Sequence, residues 1–143
     1  MDEPGIEIAA LQSIPFFAGL DPGDLDSVLQ VGVPVSFSPD QPIVEEGDPG
    51  DAMYVIISGE ARVEVGGRFH ILRPGDFFGE MALIAPSRRM ATVKAVAPVR
   101  ALRIPAEDFQ TFLLEHPTVA LAMLKAIILR LREVEQRIDA WMA

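Results

Sequence analysis

The sequence predicts a mainly β domain, a sandwich or jelly roll of short strands, with helices at both ends. Three observations carry this. Apolar residues recur at helical spacing up to Val31, fall into short runs punctuated by Pro, Gly and Asp from Val33 to Ile104, and regain the helical period after Pro105. With 143 residues and no internal repeat or low-complexity linker, the chain reads as a single domain over 1–143 with enough length to bury a core. Its parts are N-terminal helices over 5–31, a β unit over 33–104 and C-terminal helices over 106–141.

Residues 6–12 are short and apolar-periodic, a first helix that stops near Ile14-Pro15. Asp21-Pro22-Gly23-Asp24 then supplies an N-cap, a proline at the first helical position and an acid in the first turn, with Leu25, Val28 and Leu29 as the apolar stripe. Residues 53–57 read as a buried strand, and 61–65 alternate with Arg62 and Glu64 outward. Gly66-Gly67 joins that strand to 68–72 as a two-residue hairpin. Residues 99–104 close the series, with Arg100 and Arg103 on a polar side. A helix over 106–114 is stopped by His116-Pro117, and Thr118 is the N-cap expected for the last helix, which runs to about Trp141.

In that last helix Leu124, Ile127, Leu131, Val134, Ile138 and Trp141 are spaced 3, 4, 3, 4, 3, a heptad seam. Leu121, Met123 and Ile128 widen the apolar face near its start. The seam either folds back on its own domain or pairs with a second chain. Ile138 and Trp141 lie so far along the helix that pairing, a homodimer, is the favoured reading.

Composition narrows the function. Half of the residues are hydrophobic, which argues against disorder. No run of about 18 apolar residues occurs, so no membrane span is expected. The acidic start Met1-Asp2-Glu3 is unlike a signal peptide, and the chain reads as cytoplasmic. A chain without cysteine has no disulfide and no thiolate metal site. The formal charge of −9 repels nucleic acid and anionic membrane, so neither is an expected partner. Any anionic ligand must be held by local donors.

Residues 77–95 offer such donors. Gly79 lets the backbone come close to a ligand. Residues 80–84 suit one helical turn, whose first N–H groups point outward as anion donors, and Pro86-Ser87 ends it. Arg89, ten residues after Gly79, can bring a guanidinium fork to the same phosphate, and residues 91–93 resume a strand that fixes it. Glu80, a carboxylate beside an anion site, makes sense as the acceptor for a sugar hydroxyl. A phosphate, a ribose hydroxyl and a close backbone together point to a nucleotide.

The two blocks Phe78-Gly79-Glu80-Met81-Ala82-Leu83 and Arg89-Met90-Ala91-Thr92 resemble the phosphate-binding cassette of the cyclic nucleotide-binding domain family, Phe-Gly-Glu-x-Ala-Leu, a spacer, then Arg-x-Ala-Thr. The resemblance continues upstream through Glu46-Gly47-Asp48-Pro49-Gly50-Asp51-Ala52-Met53-Tyr54-Val55-Ile56, Ser58-Gly59-Glu60 and Pro74-Gly75-Asp76, and covers nearly the whole chain. It implies a jelly-roll-like β-roll of about eight strands with N-terminal helices and a C-terminal helix that acts as lid and dimerisation element. It implies cAMP as ligand, with cGMP as the alternative. Arg89 and the N–H groups of Ala82, Leu83 and Ala91 are expected to take the phosphate, and Glu80 with the Gly79 backbone the ribose 2′-hydroxyl.

Met90 stands where cGMP-preferring members often place threonine, which tilts the choice to cAMP. Arg88 stands where proline is common and reads as a solvated neighbour. Arg130 falls where a base-capping side chain is expected; it stacks on the purine or is a surface arginine, with Leu131 as the apolar alternative. The expected function is a sensor that signals by repositioning its last helix, either free-standing or as the regulatory part of a cyclic-nucleotide-gated channel or dimeric transcription regulator. No room for a DNA-binding helix-turn-helix is seen after Trp141. A cupin-like metalloenzyme is the outsider, because His70 and His116 make no cluster, Asp48 and Asp51 read as turn residues, and no Gly-x-Ser-x-Gly occurs. Neither catalysis nor a metal is expected.

Overall fold

The structure, a computed structural model, describes residues 5–14, 17–84 and 87–142, the side chains of 83–84 and 137–142 excepted. The expected breaks at Pro15 and Pro86 and the side chains of Leu83, Ile138 and Trp141 therefore lie outside the described residues.

Two short helices come first, α1 (Ile8–Gln12) and α2 (Pro22–Val31). The Asp21 carboxylate caps α2 by accepting from the Asp24 N–H at 2.8 Å, and Pro22 follows at the first position, where a missing N–H costs nothing. The strands are β1 (Val33–Phe37), β2 (Pro42–Val44), β3 (Pro49–Gly50), β4 (Ala52–Ser58), β5 (Ala61–Val65), β6 (Arg68–Leu72), β7 (Phe77–Phe78), β8 (Ser87–Arg88), β9 (Thr92–Ala95) and β10 (Val99–Pro105). One helical turn, α3 (Met81–Ile84), separates β7 from β8. The chain ends with α4 (Ala106–Glu115) and α5 (Pro117–Met142).

Eight strands make two four-stranded sheets, ordered β1-β10-β4-β7 and β2-β9-β5-β6, and β3 pairs with β8 beside them. All the pairings are antiparallel. This is the expected β-roll with flanking helices. Gly66 and Gly67 both have positive φ, 53° and 78°, between the paired residues Val65 and Arg68, as a two-residue hairpin of matching twist requires.

β4 explains why its sequence is apolar without alternation. Met53 and Val55 join Leu11, Leu25, Phe109 and Val119 in a core between the first sheet and the helices. Ala52, Tyr54 and Ile56 join Ile43, Leu72 and Val93 in a second core between the sheets. A strand covered on both faces has no polar side. The expected polar side of β10 is corrected on the same ground: Leu102 and Ile104 serve one core and Val99 and Ala101 the other. Its arginines leave at the margins instead, Arg100 donating to the Gly5 carbonyl at 2.7 Å and Arg103 reaching Asp51.

The start of α5 also differs from expectation. Pro117 is its first residue, and the Val119 and Ala120 N–H groups donate to the His116 carbonyl at 3.1 and 3.3 Å, so His116 and not Thr118 holds the cap position. Pro117, with no N–H to satisfy, suits the first helical position, so the helix begins before Thr118, which lies inside the first turn rather than at its cap. Val119 and Met123 are buried, whereas Leu121, Leu124, Ile128, Leu131 and Val134 are exposed. Among the described residues no single helix is long and apolar enough to cross a membrane.

Candidate functional site

A cleft of about 550 Å³ opens between β6, the β7–α3–β8 segment and α5. Of the described residues expected to bind ligand, all but Thr92 line it, and the Leu83 side chain lies outside the described residues. The Thr92 hydroxyl is used elsewhere, accepting from the Glu46 N–H at 3.1 Å.

Arg89 is placed by its backbone before its side chain is considered. Its N–H donates to the Asp48 carbonyl at 2.8 Å, its carbonyl accepts from Gly47 at 2.9 Å, and the neighbouring β3–β8 pair joins Pro49 to Arg88. Loop 46–50 and the second half of the cassette are thus zipped together. The Arg89 side chain is 7% exposed. Its Nη2 donates to the Ala52 carbonyl at 2.8 Å, and the guanidinium carbon lies 5.9 Å from the centre of the Tyr54 ring, which stacks on Phe78. The nearest carboxylate, Asp51, stands 3.9 Å away. A buried guanidinium with one neutral acceptor and a distant counter-ion is under-neutralised, a good place for an anion.

Gly79 serves this arginine. Its φ is +80°, and a Cβ there would lie 2.5 Å from Arg89 Nη1 and 2.8 Å from the Ala52 carbonyl oxygen. Both the conformation and the space exclude a side chain. The close approach expected toward a ligand is made here toward Arg89. In α3 the Ala82 N–H, an expected phosphate donor, donates to the Gly79 carbonyl at 3.1 Å.

Glu80 and Arg130 meet across the cleft. Arg130 Nη1 lies 3.4 Å from Glu80 Oε1, Nη2 donates to the Phe77 carbonyl at 2.6 Å, and the guanidinium carbon sits 3.7 Å from the centre of the Phe77 ring. Arg130 is therefore stitched to the cassette, while Leu131 is exposed and does not line the cleft. Met81 and Met90 stand exposed at the cleft margin. Arg88 is not simply solvated, since its Nη1 donates to the Gly47 carbonyl at 2.8 Å.

Sequence reasoning missed three parts of the site: the Asp51 carboxylate, the Ala52 carbonyl and Phe77. Asp51 read as a turn residue, yet its carboxylate faces Arg89 and Arg103 at 3.9 and 3.3 Å. A carboxylate two residues before the buried Met53 was the available signal. The Ala52 and Phe77 carbonyls carry none, being backbone atoms. Among the described residues no three His, Asp or Glu side chains gather as metal ligands.

Residues 34–116 match the cyclic nucleotide-binding domain family. The cyclic AMP receptor protein of Thermus thermophilus is 31% identical over 90% of this chain and 62% of its own. A cGMP-dependent protein kinase of Toxoplasma gondii is 44% identical over 59% of this chain, which is 9% of the kinase. Both relatives are much longer than the part that the chain spans. Among solved structures, the N-terminal domain of a transcriptional regulator from Streptomyces coelicolor A3(2) superposes with a TM-score of 0.72 at 32% identity, covering 89% of this chain and 95% of that one. The sequence match takes in everything from β1 to α4 and the superposition nearly the whole length: this chain belongs to the cyclic nucleotide-binding domain family.

Proposed function

We propose that the chain is a cAMP sensor, with Arg89 as the phosphate ligand and α5 as the element that reports occupancy. One observation carries the reading. Arg89 is nearly sealed from solvent, spends one donor on a neutral carbonyl and keeps its counter-ion at 3.9 Å, so an anionic group entering the cleft would complete its hydrogen bonding. Glu80 and the Gly79 backbone take the ribose 2′-hydroxyl, and Arg130 covers the base. The cassette N–H groups of Leu83 and Ala91 add to the phosphate site, with that of Ala82 once it leaves Gly79.

Signalling follows from Arg130. It belongs to α5 but bonds to Glu80 and Phe77, so a ligand that engages Glu80 has a different affinity for docked and undocked α5 and shifts their populations by that difference. The exposed seam residues Leu124 and Leu131, 53% and 55% accessible, support pairing of α5 with a second copy. The role is regulatory, with no catalytic step.

Met90 in place of a hydroxyl-bearing residue favours cAMP. The likeness to the Toxoplasma gondii cGMP-dependent kinase favours cGMP as the second reading. Calorimetry with cAMP, cGMP, AMP and ATP, chelator present, separates them. The expected result is metal-independent binding of cAMP, weaker binding of cGMP and little of the linear nucleotides. Tight ATP binding without cAMP binding would sink the proposal.

A further inference from the structure

We infer that Arg103 is a positioning residue for the nucleotide phosphate, acting through Asp51 on Arg89; this rests on the reading of Arg89 as the phosphate ligand. Asp51 directly precedes β4, and its two oxygens are divided. Oδ1 lies 3.9 Å from Arg89 Nη2 and Oδ2 lies 3.3 Å from Arg103 Nη2. Among the described residues it is the only carboxylate within 4.0 Å of either guanidinium.

The two arginines differ in freedom. Arg89 is locked by the Ala52 carbonyl and by Gly79, whereas Arg103 is 29% exposed and stands on β10, which pairs with β4 through Arg103 and Tyr54. The Asp51 backbone is pinned as well, because its carbonyl accepts from the Ala106 N–H at 2.9 Å where β10 passes into α4. Its side chain is 71% exposed, so little but Arg103 restrains it.

A carboxylate close to Arg89 would compete with an incoming phosphate for the same cation, and the attraction grows as the separation shrinks. Arg103 holds the carboxylate to its own side. It keeps enough negative charge nearby to steady the buried Arg89 and too little to satisfy it. Without Arg103 the carboxylate swings onto Arg89, and the phosphate must displace it.

The test is a double-mutant cycle on the full chain, read by calorimetry with cAMP. Arg103→Ala should weaken binding about three- to fivefold, at the upper end of what partly exposed charge pairs contribute. Arg103→Lys should recover most of it, since the charge and its reach are kept. In an Asp51→Asn background the same Arg103→Ala change should alter affinity less than about twofold, because the competing charge is gone. A purely structural role would instead lower the melting temperature and cost the same affinity in both backgrounds. Equal losses in the two backgrounds, or no loss from Arg103→Ala alone, overturn the inference. Arg89→Ala separates it from the reading beneath it. If that variant binds cAMP normally, the phosphate assignment falls and the inference with it. If binding is lost there but Arg103→Ala is silent, the inference alone falls.

Discussion

Arg89 and Arg130 enter one cleft and are held in different ways. Arg89 comes from the β-roll, with its backbone zipped to loop 46–50, its side chain 7% exposed and Gly79 cut away to admit it. Arg130 comes from α5 with a side chain 36% exposed, and its hold on the cassette is a 3.4 Å contact with Glu80, one bond to the Phe77 carbonyl and an aromatic face. The first is built into the fold, so its position does not depend on a ligand. The second is a partly exposed contact between two separate elements. On the proposed reading one cleft wall is a fixed anion site and the other a conditional cover, the division a sensor needs between affinity and response.

The comparison breaks most decisively at Arg89. Arg89→Ala should cost about 2–5 kcal/mol of cAMP binding, because a desolvated phosphate loses its charged partner. Calorimetry measures it, and a loss comparable to that of a surface charge would mean the fixed wall is not the anion site. Next comes the cover. Truncation after Leu129 removes Arg130 but, among the described residues, none of those that α5 buries in the core, since Val119 and Met123 precede the cut. The roll should stay folded while cAMP affinity falls roughly tenfold, about 1.4 kcal/mol. Hydrogen exchange on the intact chain should show ligand-dependent protection in α3 and over residues 129–134. A truncated chain that binds as tightly, together with an α5 indifferent to cAMP, would reduce Arg130 to a structural contact. The smallest effect belongs to Arg88, adjacent in sequence but bonded outward to Gly47. Arg88→Ala should cost under about 1 kcal/mol, and a loss equal to that of Arg89→Ala would show that the two had been confused.

Side chains with an unmistakable chemistry were legible in the sequence, and relations between backbone atoms were not. The cap at Asp21, the Gly66-Gly67 hairpin and the span of β4 follow from local rules, and the structure has them. Arg89 and Glu80 stood out because a cation and a carboxylate at a fixed spacing around Gly79 have few uses. The polar side assigned to β10 failed because its two arginines interrupt a strand covered on both faces, and periodicity cannot tell a margin from a solvent face. Thr118 failed as a cap because Pro117 already began the helix. Asp51 was misread because an aspartate between Gly50 and Ala52 satisfies every turn rule, while the guanidiniums it faces lie 38 and 52 positions away. That distance is closed only by the fold.

The length of α5 gives the Arg130 contact a mechanical side. The helix counts 26 residues, and Met142 lies 12 residues beyond Arg130. At about 1.5 Å of rise per residue that overhang is about 18 Å, so a tilt of about 10° pivoting at Arg130 carries the far end through about 3 Å. On the proposed reading the helix acts as a lever with its fulcrum in the cleft wall. A rearrangement too small to disturb the packing of Val119 and Met123 is multiplied along the overhang, and whatever grips the last turns receives the largest stroke.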